Sequence, residues 1–211
     1  GIGAVILGAL VFFFPALYGE GYHEINSGLS GDYSYIFANT FFESFGENNI
    51  YVFLIAGLLL VLLKIVGTSA TFGAGGIGGI FAPTLFMGAN IGIIYAVVLN
   101  HFGLADIEPS NFALIGMCGL IAGVLHAPLT SIFLIAEITG GYELFMPLMI
   151  TATISYITVK LFEPNSVYTM QLARRKELIT HDKDKAILTM MKVDKLIERN
   201  FKPIHVDATL G

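Results

Sequence analysis

Eleven consecutive residues carry the most readable chemistry in this chain: Gly73-Ala74-Gly75-Gly76-Ile77-Gly78-Gly79-Ile80-Phe81-Ala82-Pro83. Six of them are glycine or proline. A backbone with so few Cβ atoms can bend to aim several N–H groups at one point. Pro83 fits the first turn of a helix, where its missing N–H costs little, so the residues before it become a helix N-terminus. The first N–H groups of a helix lack intrahelical partners, and the aligned peptide dipoles place about half a positive charge there. Such an end can hold an anion. No Lys or Arg is expected beside it, and an ion held by dipoles alone can leave again, as conduction requires. Glycines also permit close helix packing in membranes, and local sequence leaves both readings open.

Other chemistries fit less well. Gly73-x-Gly75-x-x-Gly78 matches a dinucleotide fingerprint, but that motif needs a preceding strand and an acid about 20 residues on. The preceding run is apolar and membrane-like, and no acid occurs between Gly78 and Asp106. No Gly-Lys-Ser/Thr follows, so a P-loop is excluded as well. Cys118 is the one cysteine and sits in an apolar run, which suits a packed, inert thiol. His23, His101, His126, His181 and His205 show no metal-ligand spacing, and no nucleophile–base pair stands out. No enzyme activity, required cofactor or nucleic-acid partner is expected.

The elements that must position residues 73–83 are apolar. A run over 50–66, with Asn48 or Asn49 as its cap, lies at the short end for a membrane span, which takes about 20 residues. Lys64 near its end is expected to snorkel. A helix is expected over 80–102, another from Ser110 or Asn111 through 124, a resumption over 129–138 after His126-Ala127-Pro128, and a long run over 144–162. A short helix starts near Val167. Ahead of these, 2–17 is apolar, 18–23 is turn-rich, and 25–45 mixes Tyr and Phe with polar residues, as short helices at a membrane–water boundary do. Apolar pieces this short and broken are a mark of transporters and channels, whose half-helix ends face a site near the midplane. Glu137, deep in an apolar run, is either functional or a hydrogen-bonded helix end.

Composition agrees. Of 211 residues, 55% are hydrophobic and 13% are charged, against about 25% charged in soluble domains; mean hydropathy is +0.75. Net charge is −5, yet only Lys64 and Lys160 are basic before residue 170, and the other nine Lys and Arg follow from Arg174. The positive-inside tendency puts that tail in the cytoplasm. The opening Gly1-Ile2-Gly3-Ala4-Val5 has no basic n-region and does not read as a signal peptide. It starts within an apolar segment, so a longer protein with a further N-terminal part is expected.

Several stretches together resemble one family. Gly79-Ile80-Phe81-Ala82-Pro83 is similar to the G-x-F-x-P signature of the CLC chloride channels and chloride/proton antiporters. Gly116-Met117-Cys118-Gly119-Leu120-Ile121-Ala122, then His126-Ala127-Pro128-Leu129-Thr130, resembles the family's G-M-x-A-x-x-A and R-A-P-L-T segments. Gly119 replaces a small Ala there, and His126, a helix-end cap, replaces the Arg. Leu134-Ile135-Ala136-Glu137-Ile138-Thr139 resembles the L-x-x-E-x-T helix end, and Ser166-Val167-Tyr168 stands where the family has its late tyrosine. The resemblance runs from about residue 2 to 176.

It implies an all-α membrane protein with the broken, tilted transmembrane helices of the CLC fold, here the second half of the inverted repeat. Residues 1–176 would match helices J to R, 177–188 would be a cytoplasmic linker, and 189–211 would begin a CBS domain. Met191-x-Val193, Leu196-Ile197, Phe201-x-x-Ile204 and Asp207-x-Thr209-Leu210 carry that last likeness. Implied with it are a multi-pass homodimer in the bilayer, chloride or a similar anion as ligand, and adenine nucleotide at the CBS domains. The anion would rest on N–H groups of Gly79, Ile80, Phe81 and Ala82 and on the Tyr168 hydroxyl. The family's gating and proton-accepting glutamates belong to its N-terminal half, so channel and antiporter both stand. The alternatives are a secondary transporter of another broken-helix fold that binds a carboxylate and a membrane scaffold. Residues 73–78 are expected to serve as hinge and packing sequence, leaving the chemistry to 79–83.

Overall fold

The computed structural model describes residues 1–43 and 49–175; the expected linker 177–188 and CBS start 189–211 lie outside the described residues. Every described element is helical. Seven α-helices, α1 (Ile2–Phe13), α2 (Tyr22–Leu29), α3 (Ile50–Gly73), α4 (Phe81–His101), α5 (Pro109–Leu125), α6 (Pro128–Thr139) and α7 (Phe145–Phe162), pack with two short 3₁₀ turns, Pro15–Leu17 and Ser34–Ile36. They form one unit that ends at Ser166, and α8 (Val167–Arg174) opens a second. Three helical stretches, α3, α4 and the one beginning at Phe145, are long and apolar enough to cross a membrane, while α1, α5 and α6 are shorter. An all-α membrane fold with short and broken apolar helices is thus observed, as expected.

α3 starts where expected. The Asn49 side chain accepts a hydrogen bond from the Tyr51 N–H at 3.0 Å, which satisfies one orphan donor of the first turn. The helix does not stop at residue 66. It continues to Gly73, and Thr68 and Thr71 satisfy their hydroxyls within it by donating to the Lys64 and Gly67 carbonyls at 2.8 and 2.9 Å, the back-bonding that lets these residues sit mid-helix. It ends in a Schellman turn. Gly75 adopts φ +81°, its N–H reaches Phe72 O at 3.0 Å, and the Gly76 N–H reaches Thr71 O at 2.9 Å; that pattern needs a left-handed residue. The turn bears out the hinge part of the expectation for 73–78, and the packing part holds only at Gly76. A Cβ on Gly73, Gly75 or Gly78 would meet nothing within 4 Å, while one on Gly76 would come within 2.9 Å of Thr71 O.

The glycines that pack helix against helix lie elsewhere. A Cβ on Gly88 would come within 2.6 Å of Gly116 O, and one on Gly92 would overlap the Phe112 carbonyl. α4 and α5 therefore touch backbone to backbone, in antiparallel register, around a core that includes Phe86, Ala89, Met117 and Ile121. α7 locks onto α5 where Ser155 Oγ donates to Gly119 O at 2.6 Å. Cys118 is fully buried beneath it, within 3.5 Å of Ser131 Oγ, in keeping with a packed thiol. Neither Ser110 nor Asn111 caps α5. The helix begins at Pro109 with Glu108 as N-cap residue, and both side chains donate instead to the Glu108 carboxylate, at 2.8 and 3.2 Å. Between α2 and α3, the Ser34 hydroxyl and amide hold the Asp32 carboxyl below its ordinary range.

Gly92→Ala is expected to force α4 and α5 apart, at a cost of about 1–3 kcal/mol for an overpacked contact, and to lower the thermal midpoint in detergent. Gly78→Ala, with open space around it, is expected to leave that midpoint within about half a kcal/mol of its starting stability.

Candidate functional site

α4 opens at Phe81, with Ile80 as its N-cap residue at φ −86° and ψ −11°. An isoleucine side chain offers no acceptor, so nothing caps the helix from within. The Ile80 carbonyl is occupied by Thr84, whose N–H and Oγ1 donate to it at 3.1 and 2.6 Å. Pro83 has no N–H. Among the described residues, no backbone acceptor meets the N–H of Gly79, Ile80, Phe81 or Ala82. This end thus carries donors, a positive dipole end and no acceptor of its own. Ala82 and Thr84 are already buried, so the helix enters the core within its first turn.

These four residues, all named from the sequence, come together at one place. Gly79, Phe81 and Ala82 line a cavity of about 460 Å³, and Ile80 stands between them. Lys64, Gly67, Thr68 and Thr71 of α3 line it as well, together with Glu20 and Leu7. Tyr168, the fifth residue named, is the second residue of α8 and is 60% exposed. It belongs to the second unit.

Lys64 overturns two expectations. It does not snorkel, because it sits in the middle of α3 and is only 4% exposed. Its Nζ donates to Leu17 O at 3.3 Å and Gly19 O at 3.1 Å and lies 4.6 Å from the Phe86 ring centroid. Nor is the helix end remote from full cations, since Lys64 faces the same cavity. Fifteen positions separate Lys64 from Gly79 in sequence, and only the Schellman turn brings the last turns of α3 alongside the first turn of α4. One signal was there to be used: Lys64, Gly67, Thr68 and Thr71 repeat at three and four residues, a polar and small stripe on an otherwise apolar helix.

The segment that Lys64 grips is itself tightly built. Gly19 and Gly21 adopt φ +66° and +91°, and a Cβ on Gly21 would lie 2.5 Å from Phe86 Cδ2. Phe86, fully buried, thus carries the lysine on one side and the glycine on another. Elsewhere, His126 is the C-cap of α5 at φ +55°, as the helix-end expectation has it, and meets the Tyr156 ring edge-on at 5.6 Å. Glu137 is exposed on α6, away from the cavity lining.

Gly21→Ala is expected to lower stability by more than the 1–2 kcal/mol or so that a left-handed conformation costs an ordinary residue, because the methyl also strikes Phe86. Gly19→Ala, in open space, is expected to show the conformational cost alone. Thermal unfolding of the two variants side by side measures the difference.

A family model described as voltage gated chloride channel matches residues 1–160. A ClcB-like chloride channel protein of Ralstonia nicotianae is 32% identical over 83% of this chain. The voltage-gated ClC-type chloride channel ClcB of Escherichia coli O81 is 32% identical over 82% of it, and that of Escherichia coli SMS-3-5 is 31% identical over the same share. The chain spans 37% of the length of each of these relatives.

Proposed function

Because the chain belongs to the voltage gated chloride channel family, we propose that the protein carries chloride across the membrane, with the anion resting at the α4 N-terminus. The observation that carries this reading is the uncapped helix end at Gly79–Ala82, whose N–H groups open onto a cavity faced by Lys64. An anion there accepts hydrogen bonds from the backbone and meets no carboxylate among the residues of that helix end. A cation would face both the dipole and the ammonium. The site is built as a transient stop, because dipolar N–H donors hold an anion less firmly than a ring of full charges does.

In this reading the Tyr168 hydroxyl donates a further hydrogen bond to the anion, on the strength of the sequence likeness at Ser166-Val167-Tyr168. Transport proceeds as a channel or as a chloride/proton antiporter, in a homodimer with one pathway in each subunit. The basic tail faces the cytoplasm and leads into CBS domains that take adenine nucleotide. A carboxylate-carrying substrate could use the same helix end, and it is separated from chloride by competition in a flux assay.

Halide flux into liposomes that hold the full-length protein tests the proposal. Chloride, bromide or nitrate uptake is expected, and absence of all three would remove it. For the ligand set, Tyr168→Ala is expected to weaken chloride binding by about tenfold, the loss of one hydrogen bond to a charged ligand at about 1.5 kcal/mol. Unchanged affinity in calorimetry would take Tyr168 out of the site.

A further inference from the structure

We infer that Lys64 supplies the fixed positive charge that draws anions into the cavity at the α4 N-terminus, and that Glu20 on the same cavity opposes it. The inference rests on reading that helix end as an anion site, and it names the residues that set how much chloride the site needs. Lys64 has a structural task, since its ammonium holds the Leu17 and Gly19 carbonyls at 3.3 and 3.1 Å. That task does not call for a full charge. A neutral amide would donate to the same carbonyls without the desolvation cost that burying an ion carries.

Among the described residues, no carboxylate is a hydrogen-bond partner of the ammonium, and Glu24 acts on it only through space. The partners of the ammonium are two neutral carbonyls and the face of Phe86. Two of its three N–H donors are accounted for by those carbonyls. The other polar groups on the α3 wall cannot take its place. Thr68 and Thr71 spend their hydroxyl protons on the Lys64 and Gly67 carbonyls and present lone pairs, which repel anions. The donors left to the cavity include the α4 N–H groups, the Tyr22 hydroxyl and the lysine, and of these only the lysine brings a full charge. Its surroundings are low in dielectric, so its field is weakly screened across the cavity. Glu20 lines the same cavity and is exposed, so the cavity carries a negative charge as well. The two side chains act on a passing anion with opposite sign, and this separates a role of charge from one of packing.

Chloride flux against chloride concentration, measured in liposomes with the full-length protein, tests this through three variants. Lys64→Met keeps the apolar stem and is expected to raise the half-saturating chloride concentration about fivefold or more, while Lys64→Arg keeps it within about twofold and Glu20→Gln lowers it by about twofold, as a change in local field of either sign requires. A folded Lys64→Met protein with unaltered half-saturation would overturn the inference. If Lys64→Met does not fold, Glu20→Gln and Lys64→Arg decide: an unshifted Glu20→Gln curve overturns it, and a lowered one with an Arg variant near the original upholds it. Absence of flux in the unsubstituted protein would overturn this inference and the proposed function together. Normal flux that ignores both charges would overturn this inference alone.

Discussion

The backbones of α4 and α5 meet at Gly88, Gly92 and Gly116, and the position of everything at the candidate site follows from that contact. In lipid no hydrophobic force draws one apolar helix to another, so association rests on how closely the backbones approach. Side chains at these three positions would hold the helices apart. With hydrogen only, α4 can neither slide along α5 nor rotate on it. Phe81 lies seven residues before Gly88, about 10 Å along the helix axis, so the glycine contact sets the depth at which the α4 N-terminus stops. The Ser155–Gly119 hydrogen bond then holds α5 to α7, and the part-buried Tyr35–Asn90 pair at 3.0 Å ties the segment before α3 to the middle of α4.

Two ways of handling polarity in an apolar setting meet at the cavity. The helix end leaves several N–H groups without protein acceptors, which is costly in hydrocarbon unless something accepts from them. The lysine, by contrast, is a buried full charge whose nearest acceptors are carbonyls of the 15–21 segment. Each alone would be a defect in a membrane protein. Facing one cavity, they are complementary under the proposed function, in which an anion would satisfy the amides and offset the charge at once. The Gly19 and Gly21 turns are what allow carbonyls to reach the lysine, and Phe86 seats both.

Features governed by neighbours in sequence were legible there. The Asn49 cap, the start of α4 with Pro83 in its first turn, the break at His126-Ala127-Pro128 and the long runs of α3, α4 and α7 all follow from capping chemistry, proline and apolar length. Features governed by distant contacts were not. Lys64 looked like a helix-end residue because the Thr-containing stretch after Val66 looked like the end of the helix. Its hydroxyl-to-carbonyl bonds, invisible in composition, keep these polar residues satisfied inside a helix that runs on to Gly73. The glycines of 73–78 looked like packing residues because glycine serves both turns and contacts. Only the left-handed φ of Gly75 and the empty space around Gly73 and Gly78 tell the two apart. Ser110 and Asn111 are good caps by type, but Glu108 took their hydrogen bonds and Pro109 took the first helical position. Tyr168 entered through family likeness alone, since nothing in its local sequence distinguishes a ligand from an interfacial anchor.

The central claim is that an anion sits against the N–H groups at the start of α4, in the cavity that Lys64 faces. Crystals of the full-length protein soaked in bromide would show it by anomalous scattering. The account predicts a bromide peak within hydrogen-bonding reach of the Ile80 and Phe81 amides. A cavity with no peak there, while bromide is bound elsewhere in the same molecule, would contradict it.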